Sequence, residues 1–254
     1  MENYLDGIRY LTNFEDFDAS KPLMVCLHGN SSCAETFINI LQDAKGQIQI
    51  IAPDLPGCGK SKRLKRYSMC TVGYEIHKFI KSFKSQHLYL FGHSLGEHLL
   101  AYIPIKCDGI IIAGTPPLSS PKDFSAAFAP DEEAKKLIPF LAQEQQFTKE
   151  QATDFVTHTG VKGNILDLMI EVAITTDGKF RSGCLSTLID VDQVAQLSMQ
   201  PNLIVFHAEN DGVISKQYLL DHFGDKVHCL QGRHMLPVTH SKEILAVIKD
   251  KFHL

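Results

Sequence analysis

The sequence lacks an apolar run long enough to cross a bilayer, and it has no excess of basic residues. A membrane-spanning helix needs about 20 consecutive apolar residues, so we expect no membrane partner. The formal net charge is −4, whereas nucleic-acid-binding proteins usually carry a basic patch or stripe. The first residues, MENYLDGIRYL, contain no basic segment followed by an apolar stretch. We therefore expect no secretory signal and no nucleic-acid partner.

Metal-binding and phosphate-binding motifs are also missing. The seven cysteines are scattered without CxxC spacing, which favours reduced thiols and a cytoplasmic location over a disulfide framework or a zinc site. The stretch GCGKS at residues 57–61 resembles part of a phosphate loop, but Asp54 stands where that loop needs its first glycine. We therefore expect neither a metal nor an organic cofactor.

The chain does contain six short apolar runs that are rich in branched residues, with helical patterns between them. The runs are residues 23–28, 48–54, 88–92, 109–114, 202–208 and 226–232. The helical patterns are residues 34–44, 72–82, 95–102, 216–222 and 241–252. Two shorter stretches flank Asp6-Gly7, which is a hairpin signal. Near-continuous apolar runs are typical of parallel strands covered on both faces. The pattern predicts an α/β fold with a doubly wound, mostly parallel sheet.

The alternation stops after residue 117, where three helical patterns follow one another without a strand. The second begins with a capping-box pattern, Thr148 with Gln151 three residues later. The third is predicted to begin at Asn164 as its N-cap and to end at Gly178. We expect residues 118–189 to form a helical cap inserted above the sheet, with residues 1–117 and 190–254 forming the core domain.

The motif Gly-His-Ser-Leu-Gly at residues 92–96 lies between an apolar run and a helical pattern. A strand, a sharp turn and a helix form the setting in which G-x-S-x-G exposes a reactive serine. Ser94 could instead only cap the helix, but a cap does not explain the two glycines. A serine nucleophile needs a histidine base, which a carboxylate orients. We therefore looked for both partners.

Both partners follow late strands. Asp211 comes after the run at residues 202–208, and His234 comes after the run at 226–232. Reactive groups in an open α/β sheet gather at the carboxyl edge of its strands. The order Ser94, Asp211, His234 is the order of α/β-hydrolase triads, although Glu209 stays open as the acid.

With these residues in view, the chain resembles an α/β-hydrolase along nearly its whole length. The resemblance rests on the motifs LHGNSS, DLPGCGKS, GHSLG, ENDGVIS and GRHMLP, in that order. It implies Ser94 as nucleophile, His234 as general base and Asp211 as orienting acid. It also implies that the backbone N–H groups of Asn30 and Leu95 hold the oxyanion. The chain is similar to small soluble members with a helical cap, many of which cleave esters or lactones.

Four further residues are expected to support this site. Gly29 lets the oxyanion loop turn, His28 supports that loop, and His93 directly precedes the nucleophile. Glu97 departs from the family pattern, in which a small residue often follows the second glycine. If Glu97 is buried it needs a partner, for which His98 or a cap residue is the candidate. We expect Glu97 to be partly exposed or locally paired; the alternative is a role in substrate choice or in tuning the histidine base.

The sequence thus predicts a serine hydrolase that cleaves a small, largely apolar carboxylic ester or lactone through an acyl-enzyme on Ser94. The expected partner is a small-molecule acyl substrate, and the protein is expected to be a monomer or a homodimer. One alternative keeps the triad for C–C bond hydrolysis or for cofactor-free oxidase or haloperoxidase-type chemistry, since this fold hosts many activities. The other is a receptor for a small ligand without turnover.

Overall fold

The structure is a computed structural model that describes residues 1–200 and 202–254. Its centre is an eight-stranded sheet in the order β1-β2-β4-β3-β5-β6-β7-β8. The strands are β1 (Glu2–Leu5), β2 (Ile8–Thr12), β3 (Leu23–Leu27), β4 (Gln49–Pro53), β5 (Leu88–His93), β6 (Gly109–Ala113), β7 (Leu203–Ala208) and β8 (Val227–Leu230). Strands β3 to β8 pair in parallel, while β1 and β2 form an antiparallel edge. The predicted α/β fold with a doubly wound, mostly parallel sheet is confirmed.

Helices cover both faces of this sheet. They are α1 (Ile38–Asp43), α2 (Met69–Lys81), α3 (Leu95–Leu100), α4 (Phe124–Ala127), α5 (Glu132–Leu141), α6 (Lys149–His158), α7 (Leu166–Thr175), α8 (Gly178–Ser186), α9 (Gln193–Ser198), α10 (Lys216–Phe223), α11 (Leu236–Thr239) and α12 (Ser241–Phe252). None of those in the described residues is long and apolar enough to cross a membrane.

The two faces of the sheet divide the core because side chains alternate along each strand. In β3, Leu23 and Val25 pack on the face that is covered by α2, α3 and α10. Met24 and Cys26 pack on the opposite face, against α1 and α12. Every residue of β3 to β7 is buried, which explains why these strands have continuous apolar sequences.

The region between β6 and β7 is helical, as expected, but it holds more helices than the three predicted. The Thr148 capping box at the start of α6 is confirmed. Two predictions were wrong: Asn164 lies in a 3-10 turn before α7 rather than at its N-cap, and Gly178 opens α8 instead of ending α7. A Cβ at Gly178 would overlap the backbone carbonyl of Glu144, so this glycine allows close packing. The domain boundaries at residues 118 and 189 stay a prediction.

Arg181 holds this helical region together. Its buried guanidinium donates to the backbone carbonyls of Gln143, Gln145 and Thr176. The same group lies 4.3 Å above the ring of Phe147. Because α5 and α6 flank the segment that Arg181 contacts, the side chain fixes α8 to both of these helices.

Asp54 fixes the turn after β4. Its carboxylate accepts the backbone N–H groups of Ala34 and Lys60, both at 2.8 Å, and it pairs with Arg9 at 3.2 Å. A Cβ at Gly59 would overlap this carboxylate. Gly59 and Lys60 of GCGKS therefore pack on a protein carboxylate, which accounts for this part of the motif without a phosphate.

Candidate active site

Ser94 stands on a strained turn between β5 and α3. Its backbone angles are φ 53° and ψ −126°, which are rare for a residue other than glycine. A Cβ at Gly92 would overlap Glu97, and one at Gly96 would overlap the backbone carbonyl of Leu27. The Ser94 side chain makes no capping hydrogen bond to α3. The two glycines are thus needed for a turn that presents Ser94, and helix capping does not explain it.

His234 is paired with Asp211 at the carboxyl edge of the sheet. Its Nδ1 donates to Asp211 Oδ2 at 2.9 Å, and Asp211 is only 3% exposed. Burial lowers the pKa of His234, but the charge and hydrogen bond of Asp211 outweigh burial, so this pKa is raised above 6.5. Glu209 instead pairs with Lys216 at 2.6 Å. Of the two candidate acids, the structure brings Asp211 to the histidine.

His93 supports the loop that carries His234. The His93 Nε2–H group donates to the backbone carbonyl of His234 at 3.0 Å, and the two ring centroids lie 5.0 Å apart. Burial, together with the neighbouring His234, lowers the pKa of His93 to about 3. His93 is therefore neutral near pH 7 and keeps its N–H for this contact.

The loop after β3 lies against Ser94. A Cβ at Gly29 would lie 2.8 Å from the Ser94 Cβ, so only glycine permits this approach without a shift. Asn30 and Leu95 both line the cavity that contains Ser94. The Asn30 side chain donates to the carbonyl of Leu141 in α5 at 2.9 Å. Within residues 1–200 and 202–254, no protein group accepts from the backbone N–H of Asn30 or Leu95.

His28 is completely buried and does not line the cavity. The backbone N–H of Leu55 donates to its Nε2 at 2.9 Å, so Nδ1 carries the proton and donates to the carbonyl of Gly29 at 2.8 Å. Burial lowers the pKa of His28. Its contacts join the loop after β3 to the turn after β4.

Glu97 differs from the expectation of a partly exposed or locally paired side chain. It is completely buried, and neither carboxyl oxygen has a hydrogen-bond partner in the described part of the chain. Burial raises the pKa of Glu97 well above 4.5. His98 is not its partner because adjacent helical residues do not face each other; the Nδ1 of His98 bonds Gln193 Oε1 at 2.6 Å instead.

Six of the predicted site residues line a cavity of about 490 Å³ between the sheet and the helical region: Gly29, Asn30, His93, Ser94, Leu95 and His234. Asp211, His28 and Glu97 do not line it. Ser94, His234, Asn30 and Leu95 line its floor, and His98 does so as well. Apolar side chains from the helical region form most of the remaining wall, including Leu137, Leu141, Phe155, Met169, Leu185 and Leu188. The sequence analysis missed His98 as a lining residue, although it belongs to the short helix that begins directly after Ser94.

This fold and this arrangement of serine, histidine and aspartate are typical of α/β-hydrolases. A family model described as alpha/beta hydrolase fold matches residues 22–221, so the chain belongs to this family.

Known proteins similar to the chain include hydrolases of several kinds. An uncharacterized hydrolase of Saccharomyces cerevisiae is 29% identical over 99 residues, which are 37% of this chain and 34% of that protein. The N-acyl homoserine lactonase AidH, solved with N-butanoyl homoserine, has a TM-score of 0.82 and 19% identity over 100% of this chain and 97% of its own. A putative aryl esterase of Burkholderia cenocepacia has a TM-score of 0.74 and 13% identity over 97% and 96%. At such identities the structural likeness shows the fold alone.

Proposed function

We propose that the protein is a serine hydrolase that cleaves a small, largely apolar carboxylic ester or lactone through an acyl-enzyme on Ser94. One observation carries this proposal. A serine on a strained turn shares a largely apolar cavity with His234, and the Nδ1 of this histidine is bonded to a buried aspartate. A nucleophile, a base and an orienting acid are the three groups that acyl transfer needs.

In the proposed mechanism, Ser94 Oγ attacks the carbonyl carbon while His234 Nε2 takes the hydroxyl proton. The described residues contain no hydrogen bond from Ser94 Oγ to His234, so this contact must form when substrate binds, as catalytic contacts often do. The backbone N–H groups of Asn30 and Leu95 hold the oxyanion. The C–O bond then breaks as Nε2 returns the proton to the leaving alcohol. Water attacks the acyl group by the same steps and releases the acid and free Ser94.

The cavity supports a small substrate with an apolar acyl part. Its volume of about 490 Å³ falls in the range of small-molecule sites, roughly 300–1,000 Å³. Proteins of similar fold include a lactonase and a putative aryl esterase. This likeness supports an ester or a lactone as the substrate class. The mechanism uses only side-chain and backbone groups of this chain and needs no cofactor.

The test compares the wild type with Ser94→Ala on p-nitrophenyl esters of increasing acyl length and on N-acyl homoserine lactones. Because the nucleophile is removed, we expect kcat to fall by roughly 10⁴- to 10⁶-fold. Ser82→Ala, at an exposed serine after α2, is the control and should keep full activity. Activity of Ser94→Ala within tenfold of the wild type would contradict the proposal.

Two further measurements separate the alternatives. A fluorophosphonate probe should label the wild type at Ser94, and no labelling would favour a receptor without turnover. Mass spectrometry of the products should show an acid and an alcohol, or an opened lactone. Products of C–C cleavage, oxidation or halogenation would favour the other chemistries of this fold.

A further inference from the structure

His98 lies in the cavity wall, which His93, His158 and His234 also line. Its side chain is 3% exposed and lines the cavity. Ser94 lines the same cavity and directly precedes α3, the helix that carries His98.

The tautomer of His98 is set by Gln193. This buried amide has a fixed orientation, because its Nε2 donates to the carbonyl of Leu188 at 2.6 Å and its Oε1 accepts the backbone N–H of Leu118 at 3.1 Å. The Gln193 oxygen therefore faces His98 Nδ1 at 2.6 Å. An oxygen there requires Nδ1 to carry the proton, which leaves a lone pair on Nε2.

The Nε2 atom of His98 is an acceptor without a partner in residues 1–200 and 202–254. No hydrogen bond joins it to these residues, whereas the cavity-lining Asn30 and Ser32 side chains bond Leu141 and Thr36. Burial lowers the pKa of His98 to about 4. At neutral pH the ring is uncharged, so Nε2 accepts hydrogen bonds and does not donate them.

We propose that His98 Nε2 is a specificity-determining acceptor for a hydrogen-bond donor of the substrate, an amide N–H or a hydroxyl. The inference rests on the proposed function, because it assigns a substrate class to the same cavity. An ester or lactone with such a donor fits both the apolar wall and the Nε2 acceptor of His98.

The experiment measures kcat/KM for matched substrates that differ only in the donor. One pair is N-hexanoyl homoserine lactone and its analogue with CH2 in place of N–H; the other is p-nitrophenyl 3-hydroxybutanoate and p-nitrophenyl butanoate. A neutral hydrogen bond corresponds to roughly a 2- to 13-fold preference. We expect the wild type to prefer the donor by about that factor in at least one pair, and the pair that responds distinguishes an amide from a hydroxyl.

Two variants separate the role of Nε2 from that of Nδ1. His98→Asn keeps an N–H that can reach Gln193 but has no atom at the Nε2 position, so the preference for the donor should fall to about 1. His98→Gln places an amide group near the Nε2 position and should keep at least half of the preference. A purely structural role would lower both members of a pair equally. An unchanged preference in His98→Asn, or no preference in the wild type, would overturn the inference.

A second measurement does not depend on turnover. In protein with ¹⁵N-labelled histidine, NMR should show the His98 proton on Nδ1, with the signal assigned from its absence in His98→Asn. Adding N-hexanoyl homoserine lactone should shift the Nε2 signal more than its CH2 analogue does. A proton on Nε2, or equal shifts, would refute the inference. Failure of the proposed function is distinct, because it would appear as no turnover of any pair and no labelling of Ser94.

Discussion

Glu97 offers the sharpest test of the energetics of this site. Its carboxyl group is completely buried, and both oxygens lack partners among the described residues. Burial raises its pKa well above the ordinary 4.5, so the folded protein holds Glu97 as a neutral acid. Glutamine has nearly the same shape and no proton to lose. We predict that Glu97→Gln gains stability over the wild type as the pH rises.

The sign follows from proton binding. In the unfolded chain Glu97 ionises near 4.5, whereas the folded protein keeps the proton to a higher pH. Between these two pKa values the folded state binds more protons, so the free energy of unfolding of the wild type falls as the pH rises. The loss is about 1.4 kcal/mol for each pH unit. The amide of Glu97→Gln also lacks partners, but that cost does not change with pH.

The assay is urea unfolding followed by circular dichroism at pH 5.0, 5.5 and 6.0, since the chain has no tryptophan. The stability of Glu97→Gln relative to the wild type should increase by about 1.4 kcal/mol from pH 5 to pH 6. Glu133→Gln is the control, because Glu133 pairs with Lys136 on the surface and its removal should have little effect at any pH. Parallel curves for Glu97→Gln and the wild type would refute the reasoning, since they would mean that the folded state does not hold the proton.

Two further predictions concern the histidine and its acid. The kcat/KM of the wild type for an ester should fall as the pH drops through the pKa of His234, because a protonated His234 cannot act as a base. Asp211 raises this pKa above 6.5. A flat profile from pH 5 to pH 8 would count against this role. Asp211→Asn should lower kcat by about 10⁴-fold, whereas Glu209→Gln should stay within a few fold because its pair with Lys216 is partly exposed. Equal losses in these two variants, measured on the same ester, would show that the acid has been misassigned.

The turn at Ser94 could be predicted from the sequence because its cause is local. Side chains at positions 92 and 96 would overlap the neighbouring helix and strand, so both positions need glycine. Both glycines and Ser94 lie within five consecutive residues. The choice of acid is different. Asp211 and Glu209 lie two residues apart after the same strand, so the sequence does not distinguish them. The path of the backbone after Ala208 determines which carboxylate meets His234.

The features that the sequence did not predict depend on contacts between distant segments. Gly178 was predicted to end a helix because glycine is common at that position. The structure gives another reason for this glycine, since the backbone of Glu144 passes next to it. We expected a buried Glu97 to have a hydrogen-bond partner, since most buried carboxyl groups have one. The lack of a partner for Glu97 follows from how the helices after β6 pack on α3. The same packing pairs His98 with Gln193, which lies 95 residues later in the sequence.

The histidines at this site show how one residue type acquires different chemistry from its surroundings. His28, His93 and His98 each bond a neutral protein group, and burial lowers the pKa of all three. His234 bonds a carboxylate, and its pKa is raised instead. Near neutral pH, His234 is thus the one of these four histidines that exchanges a proton, while the other three keep fixed tautomers. We expect these four histidines to contribute a single ionisation, that of His234, to the acidic limb of the pH–rate profile.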